Sequence, residues 1–304
     1  MARHKNALLL RVEYYPLRWV FVLLQGLPFA WSCFLAQTII RGIMAIMPKR
    51  RKLIEKQIGL SFPELSLPRQ KAIARGSAAN LAKGLTVFAR IPSMSWESMK
   101  KMVEIEGFEH IEEAFKQKKG MITFTAHYGC WELMAIYVTH LYPDIAMVVR
   151  PLDNPLLDNL VTKVRGSGGG GVIDSRKVLK EGIRLLRHNG ILGILIDQNF
   201  YKGGVFVDFF GRPAATNTLV PILARRTGCA VLPMHNVWRG GKIRIICEAP
   251  VALSQNPNPA AAIGEDTQKL TSYVEQWVRD DPSQWLWLHN RWKRRPLIDE
   301  FLFH

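Results

Sequence analysis

After Pro92 the chain alternates two hydrophobic patterns. Short, nearly unbroken apolar runs occupy 121–126, 145–150, 191–197, 205–210, 230–236 and 243–248. Between and after them, 108–119, 130–142, 155–165, 176–189, 216–228 and 265–280 repeat apolar residues every three or four positions. The first pattern predicts buried strands and the second amphipathic helices. Their alternation predicts an α/β fold with a mixed, largely parallel sheet flanked by helices. Upstream, residues 53–90 read as amphipathic helices, with Pro63 and Pro68 in the connection. No internal repeat interrupts the pattern.

The amino-terminal segment departs from it. From Trp19 to Ile40 there are 22 residues without a charge, and a spanning helix needs roughly 20. Gly26 and Pro28 lie inside the run and allow a kink. Arg3, Lys5, Arg11 and Arg18 precede it, and Lys49, Arg50, Arg51 and Lys52 follow. The dense second cluster assigns the following domain to the cytoplasmic side of a membrane. Residues 1–48 therefore read as a membrane anchor, spanning or lying in the interface, and 49–304 as a cytoplasmic domain. The run is too long for a cleaved signal peptide, and no Ala-x-Ala site follows it.

Charge changes the picture further. The chain carries 41 Lys+Arg against 25 Asp+Glu, a formal +16. Such an excess calls for a polyanionic partner surface. There is no zinc-finger spacing or RNP-like motif, so an anionic membrane surface is expected and nucleic acid is not. Cys33, Cys130, Cys229 and Cys247 are far apart and form no CxxC. They fit reduced thiols rather than a disulfide framework or a metal site.

Candidate chemistry concentrates in Met121-Ile-Thr-Phe-Thr-Ala-His127-Tyr-Gly-Cys-Trp-Glu132, where a strand ends in a histidine and a helix begins. Histidine titrates near neutral pH and is the usual base toward a hydroxyl. Residues five apart on a regular helix lie about 140° from each other. His127 and Glu132 can therefore meet only if His127 precedes the helix, with Gly129 easing the turn. Alone, such a histidine is a cap or a core residue. After a strand, before a helix and downstream of a membrane-length segment, it reads as a base with Glu132 fixing its tautomer. Backbone amides of the helix start or the glycine turn would then hold an oxyanion. Other residues at strand ends are candidates to bind substrate. Arg150 closes the strand 145–150 and suits a phosphate or carboxylate, or else a surface ion pair. Asp197 ends the strand 191–197, as a site carboxylate or a turn cap. The glycine run 166–171 lacks the GK[ST] of a phosphate loop and reads as a flexible connection. No HExxH motif supports a zinc hydrolase.

The H-x4-E spacing resembles the signature of glycerolipid-type acyltransferases. The whole chain resembles their lipid A branch, the lauroyl/myristoyl acyltransferases. The shared features are the anchor, His127/Glu132, the Asp197 strand end, the block Val205–Asn217 and the tail Trp287-Leu-His289-Asn-Arg291-Trp292-Lys293-Arg294-Arg295-Pro296. The resemblance implies a glycerolipid acyltransferase-like fold. It places Arg165 and Asp197 among the branch's site residues, and has Gly211 lead from a strand to a helix start. Asp208 stands where the branch often has proline. The implied donor is acyl-carrier protein, or acyl-CoA, and the implied acceptor a lipid A precursor at the bacterial inner membrane. No metal or cofactor is implied. The tryptophans and cations of the tail suit either a headgroup layer or a helix packed in the core. Another membrane glycolipid, phospholipid or aminolipid could replace the acceptor. A non-catalytic basic membrane-tethered scaffold is the reading from another class.

Overall fold

The computed structural model describes residues 6–142, 144–200 and 203–295. Arg3 and Lys5 of the first basic cluster, and Pro296 of the tail motif, lie outside the described residues. Four helices come first: α1 Ala7–Gly26, α2 Phe29–Ile46, α3 Pro48–Ser61 and α4 Leu67–Arg90. The body follows as α5 Trp96–Met102, β1 Val103–Glu106, α6 Glu109–Lys116, β2 Met121–Thr125, α7 Trp131–Leu141, β3 Ile145–Val149, α8 Pro155–Arg165, β4 Gly171–Asp174, α9 Val178–Arg187 and β5 Ile191–Leu195. It ends with β6 Val205–Asp208, β7 Pro213–Thr216, α10 Leu219–Thr227, β8 Ala230–Arg239, β9 Lys242–Cys247 and α11 Pro259–Asp280.

Among the described residues the main sheet runs β1-β9-β8-β2-β5-β3-β4. Every pairing is parallel except the β8–β9 hairpin. That hairpin turns through Gly240 and Gly241, both at positive φ, which a two-residue turn of matching twist requires. The mixed, largely parallel sheet is thus as the pattern predicts. Helices cover both faces, and β2 is buried at all five positions. Ile122 and Phe124 pack toward α9, α10 and α11, whereas Met121 packs toward α5, α6 and α7. A strand covered on both faces has no solvent side, which explains why β2 carries no charge and only the small hydroxyls of Thr123 and Thr125 among its apolar residues.

The uncharged run Trp19–Ile40 is not one helix. Leu27 is extended and Pro28 starts a new helix, because proline disfavours helical backbone in the residue before it. The carbonyls freed at the end of α1 find donors. Ser32 Oγ donates to Leu24 O at 3.0 Å, and Arg90 Nε to the same oxygen at 3.0 Å. Arg90 also donates to Leu27 O. Both helices pack on α4, with Leu24, Ala36, Ile40, Ala82 and Ala89 buried between them. Among the described residues the one candidate membrane span is therefore α2, Phe29–Ile46, 18 residues with mean hydropathy 1.5.

Three short strands, β1, β4 and β7, have no clear apolar run. The glycine run leading into β4 is not a slack connection. Residues Gly166–Gly168 form a short 3-10 turn. A Cβ on Gly168 would meet Thr139 Oγ1 at 2.0 Å, and one on Gly170 would meet Thr139 Cγ2 at 2.3 Å. Close packing against α7 explains both glycines. Residues 285–295 are not helical either, and Trp285, Trp287 and Arg291 are at most 2% exposed. These tryptophans belong to the core, which excludes them from a headgroup layer.

Candidate active site

β2 and β5 are parallel neighbours, with Thr125 paired to Leu195. Their carboxyl ends therefore emerge side by side, and in such sheets ligand sites form outside that edge. His127 lies two residues past Thr125, and Asp197 two past Leu195. They meet there: His127 Nδ1 is 2.8 Å from Asp197 Oδ1, and the His127 backbone N–H donates to Oδ2 at 3.0 Å. Trp285 Nε1–H donates to the same Oδ2 at 2.8 Å.

These contacts define charge and tautomer. Burial works to raise the Asp197 pKa, but the His127 charge and the donors from His127 and Trp285 prevail, holding it at about 2. An ionised carboxylate only accepts, so the Nδ1 proton points at Asp197 and the Nε2 lone pair is left outward. Burial likewise works to lower the His127 pKa, and the charge and hydrogen bond of Asp197 more than offset it, leaving it raised. The His127 side chain keeps 21% of its surface exposed, against 3% for Asp197. The imidazole faces outward and its carboxylate partner is sealed beneath.

Glu132 differs from expectation. It does not hold the His127 tautomer; Asp197 does. Glu132 Oε2 accepts from Arg165 Nε at 3.0 Å and Oε1 from Arg165 Nη2 at 2.5 Å, a two-pronged ion pair. The physical reason is the mouth of α7. Glu132 is its second residue, whereas Nδ1 turns back toward the neighbouring strand end. Glu132 still acts on His127 at longer range, its charge favouring the imidazolium while Arg165 opposes it. Burial lowers the Arg165 pKa, but the Glu132 bond and charge outweigh it, so the guanidinium stays charged.

The turn between β2 and α7 is held from outside. Gly129 sits at φ +61°, and a Cβ there would lie 2.2 Å from Asn236 O. Its N–H donates to Gln284 O at 3.0 Å, and the Cys130 N–H to Asn236 Oδ1 at 2.6 Å. The Leu286 N–H donates to His127 O at 2.9 Å. The Tyr128 N–H bonds Ala126 O. The amides of residues 127–130 are thus all engaged, so the turn does not offer them to an oxyanion. Cys130 is buried, and burial pushes its thiol up to about 12, unlike a nucleophile.

Arg150 and Gly211 are not brought to this cluster. Arg150 is 82% exposed at the end of β3, with Nη2 3.7 Å from Asp153 Oδ1. Gly211 is not at a helix start. With Phe210 at φ +57° and Gly211 at φ +69°, residues 209–212 turn β6 back into β7. The Phe209 N–H donates to Arg212 O at 2.9 Å, and α10 begins only at Leu219. The Gly211 N–H bonds Asp208 Oδ1, which accounts for the aspartate in that block.

Three participants have no signal in the spacing. Gln198 Nε2 stands 3.3 Å from His127 Nε2 and donates to its outward lone pair. His289 Nε2 accepts from the Asn199 N–H at 2.9 Å, and burial lowers its pKa, keeping it neutral. Arg291 Nη1 donates to Ala215 O at 2.8 Å and Nη2 to Thr216 Oγ1 at 2.5 Å, tying the tail to β7. The tail's mixture of tryptophan, histidine and arginine marked it as a shared feature of the family but carried no sign that it reaches the site.

Comparison with known proteins gives the family. The model of the bacterial lipid A biosynthesis acyltransferases matches residues 4–294. The lipid A biosynthesis lauroyltransferase of Escherichia coli is 29% identical, over 83% of this chain and 82% of its own. The lipid A biosynthesis palmitoleoyltransferase of Escherichia coli is 25% identical, over 94% and 91%. A phosphatidylinositol mannoside acyltransferase of Mycobacterium tuberculosis is 27% identical, over 67% and 65%.

Proposed function

From a chain that belongs to the bacterial lipid A biosynthesis acyltransferases, we propose a membrane-bound O-acyltransferase that moves a fatty acyl chain from an acyl-carrier-protein thioester to a hydroxyl of a lipid A precursor. The observation that carries this reading is the His127–Asp197 bond, which leaves Nε2 outward as a hydrogen-bond acceptor.

The acceptor hydroxyl hydrogen-bonds to Nε2. As its oxygen attacks the thioester carbonyl, its proton passes to Nε2, and the imidazolium is stabilised by Asp197 beneath. The tetrahedral adduct collapses to the new ester and expels the thiolate, which takes the proton back from Nε2. No protein nucleophile is needed. With the turn amides engaged, the Gln198 side-chain amide is the donor beside Nε2 that supports the developing oxyanion. Glu132 and Arg165 hold each other at the mouth of α7, and Glu132 adds negative potential that favours the protonated base. Exposed Arg150, at the same sheet edge, suits a phosphate of the acceptor.

In this reading residues 1–48 are the inner-membrane anchor and the remainder works on the cytoplasmic face. The apolar α2 and the basic run Lys49–Lys52 just after it support that placement. The excess of positive charge suits both an acidic carrier protein and a phosphorylated acceptor.

The test is transfer of labelled acyl chain to a lipid A precursor by membranes holding wild type or His127→Ala. Carrier-protein and coenzyme A thioesters are offered in parallel. Transfer from the carrier protein that vanishes in the variant is the expected result. No transfer by wild type with any donor length would sink the acceptor assignment. Equal transfer by both forms would remove His127 as the base. The likeness to a mannoside acyltransferase makes another glycolipid the second acceptor to offer.

A further inference from the structure

A cavity lies on the other side of the tail segment from the His127 cluster. It is a groove of about 340 Å³ between α2, α3, α4 and the tail, a size that takes a small amphiphile. Its floor is apolar, from Ile40 and Met44 on α2, Ala78 and Leu81 on α4, and Leu286 and Leu288 of the tail. Its rim is cationic: Arg41, Arg51, Lys71 and Arg75, against one carboxylate, Glu55. Arg51 Nε lies 3.9 Å from Glu55 at exposed positions, a contact worth little in water.

We infer that this groove binds an anionic phospholipid of the bilayer, one acyl chain on the floor and its phosphate among the rim cations. Three observations support that occupant. The charge is complementary to a phosphate, since four cations face one acid. The floor is kept open by small residues, Ala74 and Ala78, spaced four apart on α4, with Lys71 and Arg75 spaced the same way beside them. The groove also lies along the carboxyl half of the apolar α2, where Ile43, Ile46 and Met47 are 41%, 79% and 41% exposed. An apolar helix end that passes into Lys49–Lys52 marks a headgroup boundary.

The groove shares a wall with the site. Ser77 lines it and donates to Trp285 O at 2.6 Å, and the Leu286 N–H holds the His127 carbonyl. A bound lipid would therefore brace the segment that positions Trp285 against Asp197. The inference rests on the membrane location proposed above, but not on acyl transfer.

The experiment uses the full chain in nanodiscs, with no acyl donor present. The probe is phosphatidylglycerol carrying a diazirine in one acyl chain, and the crosslinked peptides are mapped. The expected labels fall on α2, α4 and the 286–288 segment. Unlabelled phosphatidylglycerol competes, phosphatidylcholine does not, and Ala78→Trp lowers labelling at least tenfold. Lys71→Gln with Arg75→Gln, at exposed positions, lowers it at least fivefold and serves if Ala78→Trp does not fold. Labelling of wild type outside the groove would overturn the inference. So would equal labelling by a neutral probe, or variants that label like wild type. Displacement by a lipid A precursor tenfold more readily than by phosphatidylglycerol would also overturn it, since the groove would then be an acceptor site. Groove labelling that persists in a protein without transferase activity would sink the proposed reaction and leave the groove standing.

Discussion

His127 and Asp197 face each other across the β2–β5 ladder, each two residues beyond the paired Thr125 and Leu195. The carboxylate that orients the imidazole therefore comes from the neighbouring strand, with His127 Nδ1 2.8 Å from Asp197 Oδ1. The sequence separation of 70 matches the register offset of the two strands.

Asp197→Asn should reverse the tautomer. Its oxygen would have to serve the His127 and Trp285 N–H donors, leaving the amide –NH₂ to face Nδ1. Nδ1 would become an acceptor and Nε2 would carry the proton, unable to take one from the hydroxyl. The corresponding change in a serine hydrolase triad costs about 10⁴-fold. A loss of about 10³-fold or more in kcat, with an unchanged circular dichroism spectrum, is expected. A loss under tenfold would show that Asp197 does not set the tautomer.

The pH profile follows from the raised His127 pKa. Only the neutral imidazole accepts a proton, so kcat/KM should climb as pH rises through an apparent pKa above the ordinary 6.5. Glu132→Gln removes a charge that favours the imidazolium and should move that limb to lower pH. A limb that stays in place would detach Glu132 from the base.

The same pair makes stability depend on pH. The Asp197 pKa is lowered from 3.8 to about 2, so its contribution is present above about pH 4 and is lost on acidification. The shift corresponds to about 2 kcal/mol. The His127 pKa is raised, so its contribution is full below 6.5 and is lost as pH rises through the folded value. The Tm difference between wild type and Asp197→Asn should therefore peak between about pH 4 and 6.5 and shrink on either side. A difference that is flat from pH 3 to 9 would contradict the coupling.

Glu132 and Arg165 are 17% and 23% exposed and share a two-pronged bond. A double-mutant cycle of Glu132→Gln and Arg165→Gln, read by urea denaturation, should give a coupling of about 0.5–3 kcal/mol. Additive losses would place the pair among ion pairs of no consequence.

Gly129→Ala tests the turn. Its φ of +61° and the 2.2 Å approach of Asn236 O leave no room for a Cβ. The backbone strain alone costs about 1–3 kcal/mol, and the clash adds to it. Gly264→Ala, in the open on α11, should instead stabilise by up to about 1 kcal/mol. Differential scanning calorimetry of the two variants separates the cases, and equal melting shifts would rule out the strained turn.

Local pattern carried most of the fold. Runs such as Met121–Thr125 and Ile191–Leu195 carry no charged side chain, only threonine or glycine among their apolar residues, because both sheet faces are covered, and the amphipathic stretches between them are the covering helices. The edge strand β4, with its glycines, and the ribbon strand β7, with its alanines, left no such mark. His127 stands out as a candidate because a histidine at a strand-to-helix turn is a local feature. The assignment of Glu132 as its partner followed proximity in sequence, and the observed partner is 70 residues away.

What the sequence determined by itself was therefore what depends on neighbours along the chain: strand and helix positions, the base at its turn, the apolar amino-terminal segment and the basic charge. Tertiary structure decided the pairing of strand ends, which made Asp197, a site carboxylate or a turn cap by its sequence position, the partner of His127 and gave Glu132 to Arg165. It also buried Trp285 and Arg291 as braces of the site, although their composition suits a membrane surface equally well. The physical reason is that hydrogen bonds and ion pairs form between groups that packing brings within about 3 Å. Between distant segments, strand register and burial decide that proximity.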